Sequence, residues 1–157
     1  MSVVSTPSNV GVAAPSARAG IDPRGPQFVA ALTAVTVAAA LLLPPAAGVV
    51  LAAVQAALFA VGATRGVQHT PQAWLFRTLV RPRLAPPPEL EDPAPPRFAQ
   101  AVGLVFTVVA VIGFAAGATL VAQIALGLAL VASVLNAVFR FCLGCEMYLL
   151  IKRLAPA

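Results

Sequence analysis

Cys142 and Cys145 are the only cysteines in the chain, spaced Cys-x-x-Cys within Phe139-Arg140-Phe141-Cys142-Leu143-Gly144-Cys145-Glu146. This spacing lets one thiol resolve a bond made by the other, as dithiol–disulfide exchange and sulfur transfer both require. Arg140, two residues upstream, favours a nearby thiolate or an anionic sulfur species. Glu146 opposes the thiolate, and so does the negative end of a helix if the preceding helix runs on through the pair. Three other readings stand beside this one. A structural zinc site wants four ligands, so metal at Cys142 and Cys145 requires a dimer. Two small buried hydrophobes near a helix end need no reactivity. Juxtamembrane cysteines are also palmitoylation acceptors. Thioredoxin-like sites follow a strand in an α/β domain. Here the motif follows an apolar segment, so its spacing alone does not choose among the four. His69 is the only histidine. With no carboxylate or second histidine beside it in the sequence, it reads as a polar loop residue.

The elements that must hold the pair are apolar. Of 157 residues, 60% are hydrophobic and 10% charged, against roughly 25% charged in soluble domains. A small water-soluble fold buries too little of its surface to hide that much apolar area. Four runs are long enough to cross the hydrocarbon core of a bilayer, which takes about 20 residues. They are Phe28 to Leu43, Ala46 to Ala63, Phe98 to about Phe114, and about Ala118 to Phe139. No interior carries a charge, and in lipid only helices satisfy their own backbone at such lengths. Pro44-Pro45 and the Gly113 to Gly117 stretch make the two turns tight. The first twenty residues lack a charged start followed by an apolar core, so they read as a flexible tail rather than a cleaved signal.

The net charge of +5 is dispersed beside apolar runs and forms no basic patch interleaved with aromatics, so nucleic acid is not expected as a partner. All ten basic residues fall on one side of a four-span arrangement: Arg18 and Arg24, then Arg65, Arg77, Arg81, Arg83 and Arg97, then Arg140, Lys152 and Arg153. The positive-inside rule puts both termini and the central segment in the cytoplasm. Counted from Val121, a continuing helix carries Cys142 about 32 Å along its axis, the thickness of the core, so the thiols lie at the cytoplasmic interface. Cys142, Cys145, Glu146 and Leu149 then share one stripe, and Ser133, Asn136 and Arg140 another.

The two halves are alike. Pro26-Gln27-Phe28 recurs as Pro96-Arg97-Phe98, and Ala46-Ala47-Gly48 as Ala115-Ala116-Gly117. An offset of about seventy residues in both places has two readings, a duplicated hairpin or chance similarity in a low-diversity apolar alphabet. On the first, with two spans each, the copies run parallel, related by an axis along the membrane normal. Between them, residues 71–81 read as an in-plane interfacial helix. Thr70 is its N-cap, Pro71 its first position, and Arg77 and Arg81 lie beside Trp74 at headgroup level. Residues 89–93 read as a solvated linker. Ala125, Ala129, Ser133 and Ala137 form a small-residue ridge for close helix contact.

The Asp22-Pro23-Arg24-Gly25-Pro26-Gln27-Phe28 segment and the box from Phe141 to Tyr148 resemble an uncharacterised bacterial integral membrane family, a domain of unknown function found in actinobacteria and related groups. The resemblance covers Ile21 to Leu154, with Cys-Leu-Gly-Cys its most specific part. It implies a link to thiol redox or sulfur handling, because members tend to be encoded beside thioredoxin-like and rhodanese-type proteins. Glu146 departs from the neutral polar residue expected there.

The expected fold is therefore all-α, a four-transmembrane-helix bundle of two parallel-repeated hairpins. The expected divisions are a tail (1–25), a first hairpin (26–63), a cytoplasmic loop (64–97), a second hairpin (98–141) and a juxtamembrane basic segment (142–157). The leading functional expectation is a component of thiol-redox or sulfur-transfer chemistry in the bacterial cytoplasmic membrane. Cys142 and Cys145 act as the thiol pair, with Arg140 as thiolate or anion partner. Expected partners are the lipid bilayer, a cytoplasmic thioredoxin-like or rhodanese-type protein, and in some settings a second copy of the chain; no cofactor is expected. The other classes are a transporter or channel for a small sulfur compound, lined by Thr33, Thr36, Gln55, Thr107, Gln123, Ser133 and Asn136, and a membrane anchor or scaffold. Intramembrane polar residues usually mark a pathway, and these are sparse.

Overall fold

The computed structural model describes residues 20–155. Most of the expected tail, with the reading of the first twenty residues as uncleaved, lies outside them. Four helices are long and apolar enough to cross a membrane: α1 (Arg24–Leu42), α2 (Pro45–Arg65), α4 (Ala94–Ala115) and α5 (Thr119–Phe139). Each matches an expected span to within about four residues at either end. Two shorter helices, α3 (Pro71–Leu75) and α6 (Leu143–Leu154), lie at one end of the bundle. Among the described residues there is no strand, only an isolated bridge between Ile21 and Glu91.

Pro44 and Pro45 end α1 and open α2, with Pro45 at a first-turn position where its missing N–H costs nothing. Gly117 adopts a positive φ of 74° in the second turn, a conformation that glycine takes without steric cost. Connections this short force antiparallel neighbours. The four helices close a ring in chain order: α1 on α2, α2 on α4, α4 on α5, and α5 back on α1. A half-turn about the ring axis exchanges the α1–α2 hairpin with the α4–α5 hairpin, so the order is the one a parallel repeat requires. Burial repeats at the same offset. Val37 and Thr107, Ala40 and Ala110, and Ala52 and Ala122 are fully buried pairs seventy positions apart. The core of the far half is a cluster of Val37, Ala40, Ala52, Ala110, Ala122, Ala125 and Leu126.

Small residues set the helix spacing. A Cβ on Gly103 of α4 falls 2.6 Å from the Phe59 ring of α2, and one on Gly48 falls 2.7 Å from the Ala40 carbonyl of α1. Close backbone approach of this kind drives helix association where the surrounding lipid offers no hydrophobic gain. The expected ridge on α5 is partly buried as read: Ala125 and Ala129 are buried and Ser133 and Ala137 half-buried.

Two expectations need correction here. Residues 20–25 are not a loose tail. Ile21 is bridged to Glu91, and the Asp22 carboxylate accepts from the Arg24 amide at 3.0 Å. The same bridge ties down part of the 89–93 stretch read as a solvated linker. The helix expected over 71–81 is interrupted. Thr70 caps α3 as expected, its hydroxyl accepting from the Ala73 amide at 3.2 Å. A π-helical turn over Phe76–Val80 and a 3₁₀ turn over Arg81–Arg83 follow. The wider π turn rotates the register. Phe76 is turned inward against Phe28, with ring centroids 5.7 Å apart, while Leu79 and Trp74 stay exposed. The segment is thus fastened to the start of α1.

Candidate functional site

α5 does not continue through the cysteines. It ends at Phe139, and Arg140 takes the left-handed conformation at φ 57° and ψ 24°. The Phe141 amide then reaches back to the Leu135 carbonyl at 3.2 Å, and the Arg140 amide to Asn136 at 3.1 Å. The Arg140 bond is the single 5→1 bond of an αL C-cap, whose left-handed position is usually glycine. Arg140 is the one non-glycine residue with positive φ among those described.

The chain restarts as α6 with Cys142 as its N-cap. Cys142 is extended, and its sulfur accepts from the Cys145 amide at 3.3 Å. The Cα atoms are 5.2 Å apart and the two sulfurs are bonded to each other. Both expectations built on a continuous helix are therefore overturned. Cys142 does not share a helical stripe with Cys145, Glu146 and Leu149. The pair lies at the positive end of a new helix, not the negative end of an old one, so the backbone favours negative charge on Cys142. Glu146, exposed in the first turn of α6, still opposes it.

α6 is held by α4. A Cβ on Gly144 falls 2.6 Å from both the Cα and Cβ of Ala99, so only glycine lets the backbones meet. One turn on, Tyr148 packs on Phe98 with centroids 5.7 Å apart, and the Lys152 ammonium lies 5.2 Å from the Tyr148 ring centroid. The opposite face, with Leu143, Met147, Leu150, Ile151 and Leu154, is exposed.

Beneath the pair lies a cavity of about 860 Å³ between α1, α4 and α5. Cys142, Cys145, Arg140 and Asn136 line its mouth, and Ser133, Gln27 and Gln100 its neck. Its deep wall includes Thr33, Phe59, Phe106 and Leu128. Gln27 also pins α1 to α5, its amide donating to the Ala137 carbonyl at 2.9 Å. Of the intramembrane polar residues singled out by sequence, Thr33, Ser133 and Asn136 reach this cavity. Gln55 instead donates to the Thr33 hydroxyl at 3.3 Å in the core. Thr36 and Thr107 bond back to their own helices, to Leu32 and Gly103. Gln123 is exposed. Gln27 and Gln100 were not singled out as functional; both fall in or beside the recurring Pro-x-Phe segments, which was the available signal.

His69 is exposed at the end of a 3₁₀ turn and lines a separate cavity of about 430 Å³. Asp22, Arg77 and Arg81 line the same cavity. Among the described residues no cluster of three or more His, Cys, Asp or Glu could hold a metal ion.

The family described as Domain of unknown function (DUF4395) matches residues 21–153. No curated protein and no solved structure matches the chain.

Proposed function

The chain belongs to the family described as Domain of unknown function (DUF4395), and we propose that it is an integral membrane protein exchanging electrons with a cytoplasmic dithiol partner through Cys142 and Cys145. One observation carries this reading: the Cys142 sulfur caps α6 and accepts the Cys145 amide. A thiolate at that position gains a hydrogen bond and the helix dipole, which stabilises the reduced pair and makes the bonded pair an oxidant. The partner's thiolate attacks the Cys142 sulfur, and Cys145 departs as a thiolate and takes up a proton. The partner's second thiolate then attacks its own sulfur in the mixed disulfide and expels Cys142 as a thiolate. Two electrons pass to the pair, and the partner leaves oxidised. Arg140 flanks the pair at the mouth and offsets part of the charge on Glu146.

The cytoplasmic face follows from charge. All nine basic residues among those described, from Arg24 to Arg153, fall on the side of the bundle that carries α6, and such asymmetry orients membrane proteins with that side inward. The transport reading has less support, because Phe106 is both a wall of the cavity and packed on the apolar cluster of the far half.

The test is trapping in intact cells. In Cys145→Ser the Cys142 thiolate attacks the disulfide of the oxidised partner, a cytoplasmic thioredoxin-like or rhodanese-type protein, and with no second cysteine in the chain to resolve it a reductant-sensitive adduct accumulates. Cys142→Ser accumulates none. Absence of an adduct from both variants, with the proteins folded and inserted, overturns the reading.

A further inference from the structure

If the pair takes electrons from a cytoplasmic dithiol, it must pass them on. We propose that the cavity beneath it binds a lipid-soluble quinone, which accepts them. This rests on the thiol-exchange reading above and adds the second substrate.

Three features select the occupant. The first is depth. Leu128 lines the cavity and lies eleven residues before the end of α5, so the cavity reaches about 17 Å along the span from that end. The second is access. Leu128 and Val131 line the cavity and are also exposed on the outer face of α5, at 52% and 57%. In a bilayer that face meets lipid, so a ligand enters sideways from the membrane. The third is charge. The mouth holds Arg24 and Arg140 against Glu91, Asp92 and Glu146, and Arg24 already donates to the Ala85 carbonyl at 3.0 Å. Two cations facing three carboxylates repel a phosphate headgroup or an anionic sulfur species. A neutral head on a long apolar tail fits the rim and the depth together. The side-chain amides of Asn136 and Gln100 and the Arg140 guanidinium are donors for carbonyl oxygens at that level.

The redox step balances without another reactant. The two thiols of Cys142 and Cys145 lose two protons and two electrons and form one S–S bond. The quinone carbonyls take up the same two protons and two electrons and become the two hydroxyls of a quinol. Coupled to the partner, the sum is partner dithiol plus quinone giving partner disulfide plus quinol.

The experiment uses the full chain, pre-reduced, in phosphatidylcholine vesicles with or without menaquinone or a short-chain ubiquinone. Quinone absorbance and free thiols are followed together. The expected result is one quinol per disulfide formed. Val131→Trp, at a lipid-facing position that tolerates bulk, and Ala132→Phe, one residue along the cavity wall, slow this reaction at least about tenfold. Both leave exchange with oxidised glutathione unchanged. Exchange with glutathione but no quinol in the wild-type protein overturns the quinone proposal and leaves the thiol reading standing. A quinone rate indifferent to both substitutions also overturns it, because the cavity is then not the site. Failure of the pair to exchange with glutathione sinks both readings.

Discussion

Ile21 and Glu91 exchange main-chain hydrogen bonds: the Ile21 amide donates to the Glu91 carbonyl at 2.9 Å, and the Glu91 amide donates back at 3.0 Å. They lie seventy positions apart, the offset of the repeat. Equivalent residues pairing with each other are what a two-fold axis produces. The next residues obey the same symmetry. The Asp22 carboxylate accepts from the Arg24 amide, and the Asp92 carboxylate accepts from the Ala94 amide. Gln27 reaches a carbonyl near the end of α5, and its counterpart Arg97 reaches two carbonyls near the end of α2.

That last pair gives a first prediction. Arg97 donates to the Ala63 and Thr64 carbonyls, each at 2.7 Å. A cation is well placed at a helix C-terminus, but the site is exposed and screened. Arg97→Met should cost about 1 kcal/mol. Arg97→Gln should recover part of the loss, because Gln27 makes the corresponding contact with an amide. Thermal unfolding in detergent micelles reads both.

Gly144 is the seat of α6 on α4. Gly144→Val forces a side chain into the Ala99 backbone and should cost roughly 1–3 kcal/mol as an overpacked contact. Because the clash reaches the Ala99 Cα as well as its Cβ, adding Ala99→Gly should restore only part. Proteolysis of the C-terminal segment should accelerate in step. Unchanged protection would mean that α6 does not depend on this contact.

Arg140 separates shape from charge. A non-glycine residue in the left-handed region costs about 1–2 kcal/mol, so Arg140→Gly should raise stability by about 1 kcal/mol. Arg140→Val should lower it, since a branched Cβ fits that region worse still. If Arg140 acts only as the hinge, the glycine variant keeps the wild-type rate of thiol exchange. If its charge assists the pair, the variant is more stable and slower.

Gln55 and Thr33 test the value of a hydrogen bond inside the span. Both are buried, and the bond is long at 3.3 Å. The Gln55 carbonyl oxygen is buried without a partner. A double-mutant cycle with Gln55→Leu and Thr33→Ala should give a coupling near the roughly 0.6 kcal/mol average for membrane helices. Gln55→Leu alone should be close to neutral, because the lost bond is offset by removing an unsatisfied acceptor.

Much of the fold was legible in the residues. Apolar runs without charge set four helices, Pro44-Pro45 set a turn, and Thr70-Pro71 set a cap. Recurrence of Pro26-Gln27-Phe28 at Pro96-Arg97-Phe98 revealed the duplication, and Asp22-Pro23 against Asp92-Pro93 extends it. The site was legible only as a spacing. The break that creates it falls on Arg140, where the usual glycine signal is missing, so the helix read as continuous. The π turn at Phe76 was hidden for a similar reason: no residue type marks it.

The sequence by itself determined that this chain forms four apolar helices in two similar hairpins, that its basic residues share one end, and that its two cysteines lie there. Those properties depend on residue type and spacing along one strand of backbone. Only the tertiary structure decided that Cys142 caps a new helix, that Gly144 seats this helix on Ala99, and that a cavity opens beneath the pair. In spans meant for lipid, the inward and outward faces are both apolar. Periodicity therefore gives no register, and close contact between small residues decides which side chains meet.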